Sequence, residues 1–159
     1  MATPTDSKPA APTSAAPASL LRWNLGAGLL HLGQAVAVLL LANAFAIGVR
    51  ASYMAGPPGT SKRDVVTLFD LRISWLVAAF FLCSAAAHLL VAGPLRRRYE
   101  ADIAASRNPY RWVEYSVSSS LMIVMIALIS GIDDISALIA LVGVNASMIG
   151  FGWLEERYE

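Results

Sequence analysis

Four apolar runs, at residues 25–49, 73–91, 112–132 and 135–153, divide this 159-residue chain. Each is close to the ~20 residues that a helix needs to cross ~30 Å of hydrocarbon. The chain therefore reads as an all-α membrane protein with four transmembrane helices, in contact with a lipid bilayer and multi-pass in a cell membrane. Composition supports this: 57% of the residues are hydrophobic and 14% charged, against about 25% charged in soluble domains. A net charge of +1 gives no sign of nucleic acid as a partner. The single cysteine, Cys83, falls inside a run, which excludes an intrachain disulfide and a paired-thiol metal site. No metal-ligand spacing, nucleophile beside a base or Gly-rich phosphate loop is present, so no enzyme activity is expected.

Residues 1–19, rich in Ala, Pro, Ser and Thr, read as a disordered tail that cannot bury enough apolar area to order itself. A transmembrane domain follows over 20–158, with helices at about 20–49, 72–93, 109–131 and 133–155. The first carries Asn24, His31 and Gln34, with Gly26, Gly28 and Gly33 allowing close helix approach. The connection 50–71 contains Gly56-Pro57-Pro58-Gly59, a strong turn signal, between stretches 52–54 and 65–69 suited to an extracellular β-hairpin. Asn108-Pro109 reads as a capped helix start. Gly131-Ile132-Asp133-Asp134 is too short to join anything but antiparallel neighbours. On the last helix, Gly143, Ser147 and Gly150 make a small-residue packing face, and Asn145 points roughly away from it.

With four spans, the N-terminal tail, the second connection and the C-terminus share one side. That side holds Lys8, Arg22, Arg96, Arg97, Arg98, Arg107, Arg111 and Arg157, against Arg50, Lys62, Arg63 and Arg72 on the other. The excess assigns the N-terminus to the cytoplasm. Trp23, Trp75, Trp112 and Trp153 each fall at a helix end, as interface anchors.

One ionisable residue, Glu114, stands inside the third run. A carboxylate there costs several kcal/mol unless something nearby needs it, and is a functional hypothesis by default. Glu114 lies ~8 Å along its helix from Pro109, His88 ~12 Å from Arg96 and His31 ~14 Å from Arg22, at 1.5 Å per residue. Three helices thus place proton-active side chains in one layer nearer the cytoplasmic face. Glu114, Ser118 and Met122 follow at i, i+4 and i+8 along one stripe, and Ser84 and His88 are i, i+4 partners. Ser119 and Ser120 read as helix contacts or as bonded to their own backbone. The bland reading of Glu114 is a pair with Arg111, three residues earlier.

Arg-Trp-Val-Glu-Tyr-Ser-x-Ser-Ser-Ser, here at 111–120, resembles the third helix of the heliorhodopsins. Gly56-Pro57-Pro58-Gly59-Thr60 looks like their first extracellular loop, and Gly143-Val144-Asn145-Ala146-Ser147-Met148 with Phe151-Gly152-Trp153-Leu154 is similar to their fourth helix. His31 and His88 match their two intramembrane histidines. The resemblance implies the first four helices of a seven-helix retinal protein with a cytoplasmic N-terminus. It implies Glu114 as counterion of a protonated Schiff base of all-trans retinal, and His31, His88 and Ser84 as a proton network. It also implies Ser118, Met122 and Asn145 along the retinal pocket, a homodimer with the loop hairpin at its interface, and a light sensor rather than an ion pump.

The retinal-bearing lysine of that family lies on its seventh helix, whereas the lysines here are Lys8, in the tail, and Lys62, in the long connection. The chain is expected to be a fragment that needs the missing C-terminal helices for chromophore. The alternative is a four-helix membrane interaction protein without chromophore. A pump is disfavoured, because Glu114 is the lone carboxylate of the membrane interior.

Overall fold

The computed structural model describes residues 17–60 and 63–158. Helix α1 covers Pro17–Leu40, and strands β1 (Ala46–Met54) and β2 (Arg63–Arg72) follow. Then come α2 (Ile73–Ala92), α3 (Arg96–Ala104), α4 (Pro109–Ile129) and α5 (Ile135–Tyr158). The fold is mostly helical, and α1, α2, α4 and α5 are each long and apolar enough to cross a membrane. They stand in a row in which α1 packs on α2, α2 on α4 and α4 on α5. Many large apolar side chains on their outer faces, among them Leu29, Ile139, Val144 and Phe151, are exposed. In water that surface would be costly; in lipid it has its proper solvent.

The first helix departs from its expected bounds at both ends. It starts at Pro17, where proline's fixed φ suits a first turn, so residues 17–19 are helical and not tail. The rest of the expected tail, with Lys8, lies outside the described residues, as does Lys62. The helix ends at Leu40 and not near 49. Asn43 accepts the backbone N–H of Phe45 on its side chain (3.0 Å), a local turn that competes with helix. Residues 46–49 extend the apolar run in sequence but belong to β1. An uninterrupted apolar run carries no period to tell the two states apart.

The antiparallel β1–β2 hairpin pairs from Ala46↔Arg72 to Met54↔Arg63, with a register shift after Val49 that leaves Leu68 without a ladder partner. At its turn Thr60 donates through both N–H and Oγ1 to the Pro57 carbonyl (3.1 and 2.8 Å). Gly59 has φ +94°, the position of a type II turn that favours glycine. The shift turns Val49, fully buried, onto Leu76, Ala127, Leu128 and Leu138. This core joins the hairpin to α2, α4 and α5.

The α4–α5 link is closed by capping at both sides. Gly131 (φ +87°) donates to the Leu128 carbonyl (3.1 Å) and Ile132 to that of Ala127 (2.8 Å), the paired bonds of a Schellman ending. Asp134 then caps α5 by accepting the Ser136 N–H (2.9 Å). The same carboxylate accepts the Ser52 hydroxyl (2.5 Å) and N–H (3.1 Å). Arg50 donates its N–H to the Asp133 carbonyl (2.8 Å) and pairs with the Asp133 side chain (3.3 Å). The hairpin is thereby fastened to the link. The donated hydrogen bonds, the Ser52 hydroxyl foremost, hold the Asp134 carboxyl below the ordinary carboxylate range.

At the opposite end, α3 is an additional short helix between α2 and α4. Asn108 accepts the Arg111 N–H on its side chain (3.2 Å) with Pro109 in the first turn, as the Asn-Pro pair implies. Of the first helix's glycines, Gly28 alone meets a neighbour: a Cβ there would stand 3.1 Å from Leu89, while Gly26 and Gly33 face open space. The expected packing face of α5 also moves. A Cβ added at Gly143 or Gly150 would meet only open space, and it is buried Asn145 and Gly152 that face α4. Asn145 meets hydroxyls there, and Gly152 leaves room for the Trp112 ring.

Candidate functional site

The polar side chains near the α3 end form two links across the row. Between α2 and α4, the Ser84 hydroxyl donates to Glu114 Oε1 at 2.6 Å. Between α1 and α2, His88 Nδ1 meets Asn24 Oδ1 at 2.9 Å. The His31 and His88 rings stack, with centroids 5.7 Å apart and planes at 16°, and Phe81 lies against the other side of His31 at 5.9 Å. His31 also bonds Gln34, one turn on, at 2.9 Å.

The orientation of Asn24 follows from its partners. Its Nδ2 donates to the Leu20 carbonyl (2.9 Å), an acceptor only, so Oδ1 must face His88. An amide oxygen there requires a hydrogen on Nδ1 of the imidazole, and in the neutral ring Nε2 is then the acceptor. His88 thus presents its basic nitrogen away from Asn24.

Glu114 is half-buried. Arg111 does not neutralise it: the Arg111 guanidinium pairs with Glu156 instead, at 3.7 Å. Among the described residues no cation stands within ion-pair distance of Glu114, which keeps one oxygen for a further donor. Glu114 and His88 line a common cavity of about 230 Å³ that also touches Asn24, Tyr99, Asn108 and Tyr110. It has room for several water molecules at about 30 Å³ each. Glu114 and the histidines share no direct hydrogen bond, and His31 stands outside this cavity.

The remaining expected residues divide. Ser118 is buried, whereas Met122 is exposed, so the stripe that begins at Glu114 rotates outward over two turns. Asn145 is buried and donates to Ser119 (2.7 Å) and Ser120 (3.2 Å). Those hydroxyls in turn donate to the backbone carbonyls of Tyr115 and Ser116. Ser119 and Ser120 therefore combine both structural roles expected of them, a helix contact and a backbone bond.

Two residues to which the sequence assigns no role take part. Asn24 sits at i, i+4 and i+7 with Gly28 and His31, a stripe that could have marked it as a histidine partner. Glu156 accepts the Asn108 N–H (2.9 Å) and the Trp112 indole N–H, so it closes the start of α4 from α5. Trp112 consequently clamps two helices as well as marking a helix end, with Arg111 over its ring at 4.6 Å. Nothing in a terminal glutamate's sequence context announces that role.

No curated protein matches the chain. The family model described as Heliorhodopsin matches residues 20–159, which include the whole polar layer and all of the spans but the first residues of α1. The chain belongs to the heliorhodopsin family, and its membrane-spanning helices are those of a rhodopsin-like light-sensing protein.

Proposed function

We propose that this chain supplies the counterion wall of a retinal site whose output is light sensing rather than ion pumping. The observation that carries the proposal is the state of Glu114: held by Ser84, set among membrane-spanning helices, and with no cation within ion-pair distance among the described residues. An ionised carboxylate in that setting calls for a positive charge, and a bound cationic chromophore fits it.

Retinal, when bound, would supply a cationic imine nitrogen and the absorption of visible light. Glu114 would balance that charge and raise the pKa of its partner by favouring the charged form. Ser84 orients the carboxylate, and His88 offers Nε2 as a proton acceptor beside the shared cavity. His31, stacked on His88, completes the proton network. Ser118, Met122 and Asn145 are assigned to the pocket wall; exposed Met122 leaves surface for an occupant beyond the four helices.

Neither Lys8 nor Lys62 falls within the four spans. The covalent lysine is therefore proposed to come from helices outside this chain, which would be the N-terminal part of a seven-helix protein. The basic-residue excess supports a cytoplasmic N-terminus, and exposed Val65, Val66, Leu68 and Phe69 on β2 support a homodimer through the hairpin. Sensing is favoured over pumping because the matched family is one of rhodopsin-like light-sensing proteins.

In a pigment assembled from this chain and lysine-bearing helices, Glu114→Gln is expected to shift the absorption maximum to the red. An unchanged spectrum removes Glu114 from the counterion role. The absence of a span lysine favours a second reading, a four-helix membrane interaction protein without chromophore. Co-expression with the lysine-bearing helices separates the two, since failure to form colour with retinal supports the second. Colour resistant to hydroxylamine in the chain alone would contradict the need for an external lysine.

A further inference from the structure

Seven arginines of the described residues gather at the α3 end: Arg22, Arg96, Arg97, Arg98, Arg107, Arg111 and Arg157. Three of them are matched with carboxylates, Arg96 with Glu100 (2.7 Å), Arg107 with Asp102 (3.9 Å) and Arg111 with Glu156 (3.7 Å). Arg97 and Arg98 are exposed, and no carboxylate stands within ion-pair distance of either among the described residues. A signal that only sets membrane orientation needs a count of charges. It does not need them on a folded helix, with some neutralised and two adjacent ones left over.

The fold fixes where those two charges lie. Helix α3 follows the end of α2 after three residues, with Leu95 donating to the Leu90 carbonyl (3.0 Å) and Arg96 to that of Gly93 (3.1 Å). Tyr99 packs edge-on against Tyr110 of α4, with centroids 5.7 Å apart. The helix is thus held against the ends of two spans. The polar layer of a bilayer is about 5–8 Å deep on each side, and Arg97 and Arg98 lie within six residues of the last residue of α2. Along the outward stripe Arg97 is followed at i+4 and i+7 by Ala101 and Ala104, both exposed. Small residues there leave the guanidinium open to approach, and its planar fork matches a phosphate in two-point contact.

We propose that α3 is a headgroup-binding platform on which Arg97 and Arg98 hold the phosphate of an anionic phospholipid from the bilayer that the protein spans. Charge complementarity and depth select this occupant. Basic groups beside a membrane contribute roughly a fivefold preference each for an anionic surface at ordinary ionic strength.

The test is to reconstitute the whole chain in bilayers of phosphatidylcholine containing a small fraction of spin-labelled phosphatidylglycerol or spin-labelled phosphatidylcholine. Electron paramagnetic resonance then reports how much of each probe is immobilised on the protein. The wild-type chain is expected to prefer the anionic probe severalfold. The Arg97→Gln/Arg98→Gln pair should lose most of that preference, while Arg63→Gln, at the hairpin end, keeps it. In the wild type the preference should shrink as salt is raised, because exposed charges are screened; this arm does not depend on a variant folding. Equal immobilisation of the two probes by the wild type overturns the proposal, as does a preference that survives the double substitution. Strong selection of free inorganic phosphate over the lipid probe, seen as loss of preference at low millimolar phosphate under constant ionic strength, also overturns it.

Discussion

The two ends of this helix row are built from opposite materials. At the hairpin end, Val49, Leu76, Ala127, Leu128 and Leu138 exclude polar atoms, and the chain reversals are closed by caps and by carboxylates of the link. At the α3 end the contacts between spans are polar: Ser84 to Glu114, Asn24 to His88, and Glu156 to the start of α4. Apolar packing has many near-equivalent solutions, whereas a hydrogen bond in a low dielectric has few, and leaving it unmade is costly. The first end can be rigid without being particular about its residues. The second carries the polar groups, and the side chains that link its spans each have a partner that fixes their direction.

Substitutions can break that contrast. The largest loss is expected from Leu128→Ala, because this fully packed side chain is 2% exposed and such truncations cost about 2–5 kcal/mol. Reversible unfolding in mixed detergent would show it, and a loss under 1 kcal/mol would deny that the hairpin end is the close-packed one. Glu156→Ala should cost about 1–3 kcal/mol, since it strands donors of Asn108 and Trp112; faster hydrogen exchange in the first turn of α4 is the local readout. Gly152→Ala should cost about as much as other overpacking, ~1–3 kcal/mol, because its Cβ would fall 2.7 Å from the Trp112 ring. Trp112 fluorescence should change in that variant and stay constant in Gly143→Ala, where the space is open.

Asn145→Ala is expected to be milder, about 0.6–2 kcal/mol, the range for hydrogen bonds between membrane helices. Parity with Leu128→Ala would erase the distinction between the two ends. The smallest effect concerns acid. The Asp134 carboxyl titrates below its unfolded value because Ser52 and Ser136 donate to it. Its contribution is therefore complete above the ordinary carboxylate pKa of about 3.9 and is lost as pH falls through the lower folded value. The protection factor of the Ser52 amide, with intrinsic exchange corrected for at each pH, should be constant from neutral pH to about 5 and fall only below about 4.

Sequence reading reached the spans because each is a long uninterrupted apolar run, a signal that depends on no neighbour. It singled out Glu114 for the converse reason, as a charge where charge is expensive. It misplaced 41–49, because an apolar run that turns into a strand keeps its hydrophobicity and loses only a period it never displayed. Helix α3 escaped because three arginines after a Gly-Pro pair carry no apolar period, and the residue against which its Tyr99 packs, Tyr110, belongs to another helix. The direction of Asn145 was missed since small residues on the other face looked like the packing surface. The hydroxyls that draw it inward belong to a different helix.

The single way in which Asn24 can satisfy both of its neighbours has a spectroscopic consequence. Isotope-labelled His88 in the resting protein should show one pyrrole-like and one pyridine-like nitrogen, without the averaging of a freely exchanging ring. A proton arriving at this imidazole therefore has one point of entry. The backbone of α1, through the Leu20 carbonyl, decides which side that is.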